Sequence, residues 1–96
     1  YRLIRLNLKH KKKDVLDQAS EHLAKLLRKG LGRRVLGPEY PPVSWIKTWY
    51  IKTILIKLEK NVSHKKGKEY ILEHIETMRS FDKFRSVQVN ADVDPM

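Results

Sequence analysis

The sequence predicts a single α+β domain with its elements in the order β-α-β-β-α-β. Three observations carry this: a period of two in the apolar residues near both ends, two separate stretches with helical spacing, and an aromatic, β-branched run between them. At 96 residues, with a 41% hydrophobic share, there is material for one thin core and not for two.

Residues 2–10 read RLIRLNLKH, with Ile4, Leu6 and Leu8 on one side and Arg5, Asn7 and Lys9 on the other, as in a half-buried strand. A basic run, His10 to Lys13, follows, and Asp14 is the expected N-cap of the next element. From Val15 to Lys29, Leu16, Ala19, Leu23, Leu26 and Leu27 recur at helical spacing. Asp14, Asp17 and Glu21 sit early, and Lys25, Arg28 and Lys29 late, which complements the helix dipole. Gly30 and Gly32 are expected to stop this helix.

Arg34 to Gly37 reads as a short strand ended by Pro38. Residues 38–44, PEYPPVS, hold three of the four prolines and predict a protruding loop in place of a tight hairpin. The stretch 49–59, WYIKTILIKLE, is the longest strand, apolar on both sides in its middle, which suits a central position. After the polar stretch Asn61 to Lys68, with Ser63 as an expected N-cap, Ile71, Leu72, Ile75 and Met78 mark a second helix ending near Ser80. Val87, Val89, Ala91 and Val93 then alternate with Gln88, Asn90, Asp92 and Asp94 in a last strand ended by Pro95. This order is the ferredoxin-like split plan: a four-stranded antiparallel or mixed sheet, the first and third strands central, and two helices on one face.

Lys plus Arg total 21 against 11 Asp plus Glu, a formal charge of +10. No apolar run approaches the ~20 residues of a membrane span, and Arg2, Arg5 and Lys9 interrupt any signal-peptide pattern. Cysteine is absent, which excludes disulfides, Cys-type zinc sites and thiol nucleophiles, and fits a cytosolic or nuclear setting. The chain lacks an initiating Met and enters a strand at once, so it reads as a piece of a longer polypeptide.

Phosphate-cradle, dinucleotide and zinc-protease motifs are all missing, and no two of His10, His22, His64 and His74 have i, i+4 spacing. His22 and His74 read as surface or helix-flank residues, and no catalytic or metal site is expected. Asp92 and Asp94 share one side of a strand, where pairing with Arg5 and Lys9 of the first strand would use them up.

Positive charge concentrates at Lys11, Lys12 and Lys13, at Lys29, Arg33 and Arg34, and at Lys60, His64, Lys65, Lys66 and Lys68. Such clusters attract polyanions and bind phosphates through counterion release. Trp45, Trp49 and Tyr50 beside Lys47 and Lys52 have the makings of a base-stacking platform, although Trp49 and Tyr50 could equally be core and Trp45 a prop for the loop. The RNA-recognition pattern of aromatics is not found in the long strand.

Two strings, VLGP at Val35–Pro38 and DVDP at Asp92–Pro95, are separated by a proline-interrupted loop, an aromatic and basic strand ending ILIK (Ile54–Lys57), and a helix. This combination, over essentially all of residues 1–96, resembles the C-terminal domain of PriA, the family of bacterial primosomal replication-restart helicases (primosomal protein N-prime). The resemblance implies a single C-terminal domain, with ATPase lobes and a zinc region upstream. ATP, Mg2+ and Zn2+ would then belong to the parent and no cofactor to this chain.

It further implies a non-catalytic domain, of the ferredoxin-like plan seen in a ribosomal small-subunit protein, that binds branched and single-stranded DNA at stalled forks. The setting would be bacterial and cytoplasmic, associated with the nucleoid. The expected DNA contacts are Lys11, Lys12, Lys13, Arg33, Arg34, Trp45, Lys47, Trp49 and Lys52. The alternative is protein docking, either to the helicase lobes or to the acidic tail of single-stranded-DNA-binding protein. Tail contacts fall to His64 and Lys68, with Lys65 and Lys66 adjacent. His64 stands where an arginine is expected, exchanging a permanent charge for a titratable one. Trp45 stands where relatives tend to have a basic residue after the proline loop.

Overall fold

The computed structural model describes residues 2–40, 45–46, 49–58 and 64–93. It is an α+β structure in which strand β1 (Arg2–His10) leads into helix α1 (Lys13–Leu31), a 3-10 turn (Gly32–Arg34) and strand β2 (Val35–Glu39). Strand β3 (Trp45–Ile46), strand β4 (Trp49–Leu58), helix α2 (His64–Arg79), a second 3-10 turn (Asp82–Phe84) and strand β5 (Gln88–Val93) follow. The sheet order is β2-β4-β1-β5, and every neighbouring pair is antiparallel. Strands β1 and β4 are central and pair along nearly their whole length, from Arg2 opposite Leu58 to His10 opposite Tyr50.

The alternation read in the sequence sets the core. Ile4, Leu6 and Leu8 of β1 and Ile54, Ile56 and Leu58 of β4 are buried on one face. Leu16, Ala19, Leu23, Ala24 and Leu27 of α1 and Ile71, Ile75 and Met78 of α2 close over that face in the same cluster. Both helices therefore serve one core, and no described helix or strand packs on the opposite face. Among the described residues no helix is long and apolar enough to cross a membrane.

The structure departs from the expected elements at several points. Helix α1 begins one residue before Asp14. Its N-cap is Lys12, whose side chain makes no capping bond, and Asp14 lies in the first turn, favourably placed for the dipole. Gly30 does not stop the helix. It lies inside α1, at a point where the Tyr70 hydroxyl of α2 occupies the space that a Cβ would fill. Gly32 caps the helix at φ 54° and donates its N–H to the Arg28 carbonyl.

Strand β2 runs on through Pro38 to Glu39, with a register shift between Leu36 and Glu39. A proline is tolerated there because β2 is an edge strand with an irregularity. Gly37 has φ +97°, and a Cβ on it would lie 2.9 Å from the Thr53 carbonyl, so the glycine of VLGP is fixed by backbone geometry. A fifth strand goes beyond the expected four: Trp45 and Ile46 pair with Tyr50 and Trp49 and extend the β2 edge of β4. The loop segment 41–44, Lys47, Lys60, Ser63 and the DP end of DVDP lie outside the described residues.

Candidate nucleic-acid interface

Alternation along β4 decides what faces solvent. Lys52, Ile54, Ile56 and Leu58 point toward the helices, so Trp49, Ile51, Thr53, Leu55 and Lys57 line the other face. Tyr50 packs against the core, whereas Trp49 is half-buried on the open face. The core reading of this aromatic pair therefore holds for Tyr50 alone. The Nζ atoms of Lys9 and Lys11 each lie 5.4 Å from the Trp49 ring centroid, within cation–π range. Lys9 comes from the outward row of β1, and Lys11 from the bend between β1 and α1. Lys9 is missing from the contacts expected from sequence, although its place in the alternation, opposite Ile51, carries that signal.

The bend itself is held by His10. The Lys12 backbone N–H donates to His10 Nδ1 at 2.9 Å, and His10 Nε2 lies 2.7 Å from the Ser86 hydroxyl. Lys12 is exposed, and Lys13 opens α1 with its Nζ 5.5 Å from the Tyr40 ring centroid. Lysines 11–13 and Trp49 thus share one end of the sheet.

Lys52 does not join them. It points to the core face, is 7% exposed, and forms an ion pair with Asp17 at 3.0 Å while its Nζ lies 4.8 Å from the Tyr40 ring centroid. That pairing removes Lys52 from the side chains open to a ligand, because a buried cation released from its partner would go unsatisfied. Tyr40 also donates its hydroxyl to Asp17, so the carboxylate ties α1 to β4 and to the end of β2. Partial burial by itself would raise the Asp17 carboxyl. The hydrogen bonds from Tyr40 and Lys52 and the charges of Lys52 and Lys13 together hold it below its ordinary value. Burial, followed by the bond to Asp17, pushes the Tyr40 hydroxyl up to about 12.

The other two clusters converge at the opposite end of the sheet. Arg28, Lys29, Arg33, Arg34 and Lys57 surround an open hollow of about 540 Å³. Helix α2 starts beside it: Gly67 packs on Leu58, and the Tyr70 hydroxyl donates to the Leu26 carbonyl at 3.3 Å. Lys65, Lys66 and Lys68 on this first turn are exposed, and His64 is its first residue. The eight residue steps of β4 from Tyr50 to Leu58 put roughly 27 Å between the two basic ends. Trp45 lies in β3, beside Tyr50.

His22, expected at the surface or on a helix flank, is half-buried on α1. It lies against Phe81 and Phe84, with ring centroids 5.0 and 5.9 Å away, and its Nε2 is enclosed. His74 accords better with a helix flank, its Nδ1 2.8 Å from the Tyr70 carbonyl oxygen one turn earlier. Arg5 stands opposite Asp92 across β1 and β5 without an ion pair to it, and Lys9 stands opposite Gln88, so the expected charge pairing is not formed among the described residues. The described residues contain no group of three or more His, Asp or Glu side chains able to hold a metal. The arrangement can stack a base and neutralise phosphates at one end, and bind anions at the other. No family model matches this chain, and no curated protein matches its sequence.

Proposed function

We propose that the chain is a non-catalytic DNA-binding domain of a replication-restart helicase, engaging branched and single-stranded DNA. The observation that carries the reading is Trp49, set on the open face of the sheet with the ammonium groups of Lys9 and Lys11 each 5.4 Å from its ring centroid. An aromatic face beside two cations suits an unpaired base flanked by phosphates. The helicase assignment rests on the VLGP and DVDP strings. The sheet order β2-β4-β1-β5, with both helices in one core, supports the ferredoxin-like split plan. ATP, Mg2+ and Zn2+ belong in this reading to upstream regions of a bacterial parent protein.

The test is fluorescence anisotropy of labelled fork, duplex and single-stranded DNA across a salt series. Fork and single-strand preference with a negative log–log salt slope is expected, and Trp49→Ala should weaken single-strand binding about 5- to 150-fold, the range for one stacked base. Replacing Lys11, Lys12 and Lys13 together with Ala should weaken every DNA and flatten the slope by roughly 0.7–0.9 for each phosphate no longer neutralised. Equal, weak binding to all three DNAs that is indifferent to Trp49→Ala would overturn the reading.

A second reading is favoured by the other end of the molecule. There the exposed Lys65 and Lys68 adjoin the arginine-rich hollow, a setting suited to the acidic tail of single-stranded-DNA-binding protein. A tail peptide whose binding is lost in Lys65→Ala/Lys68→Ala but survives Trp49→Ala would support docking there.

A further inference from the structure

The open face carries a second feature that stacking on Trp49 does not use. Between β2, β4 and β1 lies a hollow of about 660 Å³ whose lining includes Leu36, Leu55, Asn7, Thr53, Arg5 and Glu39. The register explains it: Leu36 stands opposite Leu55 and Leu55 opposite Arg5, while Glu39 stands opposite Thr53 and Thr53 opposite Asn7. One row is apolar and ends in a cation; the adjoining row is polar and ends in a carboxylate. Leu36 is 41% exposed, so this part of the apolar row is open to a ligand.

We propose that this hollow is a subsite for one nucleobase of a bound single strand, and that it selects bases bearing an exocyclic amino group. The inference rests on the DNA-binding reading above and adds a base preference to it. Its volume falls within the ~300–1,000 Å³ of small-molecule sites. The leucine pair supplies an apolar bed for a ring. Thr53 Oγ1 donates to Asn7 Oδ1 at 3.2 Å, which fixes the Asn7 amide and leaves its nitrogen to donate to a ring or carbonyl acceptor.

Among the described residues neither Arg5 nor Glu39 has a side-chain ion pair or hydrogen bond. A carboxylate repels phosphate, so Glu39 argues that the hollow receives a base edge rather than the backbone. Cytosine and adenine offer an amino donor to such a carboxylate, whereas thymine presents a carbonyl at the corresponding edge. Arg5, at the end of the apolar row, makes no ion pair with Asp92 opposite it on β5 and is left to meet the phosphate that follows. Thr53 and Leu55 lie four and six residues beyond Trp49 on the same face, roughly 13 and 20 Å, so one short strand can reach both places.

The experiment titrates the unaltered 96-residue chain with (dC)8 and (dT)8 at neutral pH and low salt and follows tryptophan fluorescence. Octamers fall within the ~4–16 nucleotides covered by one compact OB-fold domain. The (dC)8 strand is expected to bind roughly five-fold or more tightly than (dT)8, the lower end of what a well-formed base-edge pair contributes. The Asn7 side-chain amide and the Leu36 and Leu55 methyl resonances should shift on binding. Glu39→Gln, at an exposed edge position, should bring the two affinities together even if both rise from the lost negative charge. If both octamers bind with equal affinity and the Asn7 amide does not move, the base subsite is refuted while DNA binding stands. If neither octamer binds, the DNA-binding reading fails and the subsite with it.

Discussion

The two faces of the central strands differ by a single step along the chain. On the helix side, Ile4, Leu6, Leu8, Ile54, Ile56 and Leu58 are almost wholly withdrawn from water. One residue along in the same strands, Arg5 and Lys9 are exposed, and Asn7, Trp49, Thr53 and Leu55 are half-buried. The first set has two helices to pack against and the second has none. Burial on the first face stabilises the fold, whereas groups on the second stay available because folding did not consume them. Stability and binding should therefore be separable by choosing the face that is altered.

The strongest way to break that separation is Leu6→Ala. The side chain is fully buried, so about 2–5 kcal/mol of stability should be lost in denaturant unfolding, with DNA binding falling only as the folded population falls. Gly37→Ala comes next. Its positive φ and the 2.9 Å approach of a Cβ to the Thr53 carbonyl predict a loss of about 1–3 kcal/mol, read as a lower Tm. Lys9→Ala probes the other face: stability should change by no more than ~0.5 kcal/mol, while single-strand affinity and its salt slope both fall. Loss of stability from Lys9→Ala equal to that from Leu6→Ala would mean the open face is structural after all.

The smallest effect sharpens the boundary between the faces, at the Asp17–Lys52–Tyr40 cluster. Asp17 is depressed, so its contribution is present above its unfolded value near 4 and is lost as pH falls through the lower folded value. Tyr40 is raised, so its contribution is present below its unfolded value near 10 and is lost as pH rises toward about 12. Asp17→Asn should flatten the acid limb of a stability–pH curve, and Tyr40→Phe the alkaline limb. Both groups are partly solvated, so solvent screening keeps these changes modest.

Much of the fold was legible along the chain, and much less of the site. The alternation in RLIRLNLKH and the spacing of Leu16, Ala19, Leu23 and Leu27 are local signals, and both recur as buried rows. The short strand Trp45–Ile46 was not legible, because two residues carry no period. Gly30 misled as a helix stop, since the reason for a glycine there is a tyrosine forty residues away in sequence. Lys52 read as a phosphate partner because its neighbours are aromatic; its actual partner, Asp17, is brought to it by helix packing.

The sequence by itself determined the strand and helix order, the buried row of each element, and a surplus of positive charge, since these depend on periodicity and composition. Tertiary structure decided which lysines remain available, which cations lie beside Trp49, and which distant residues share a hollow. Those outcomes depend on strand register and on which sheet face the helices cover, and neither is written in any single segment of the chain.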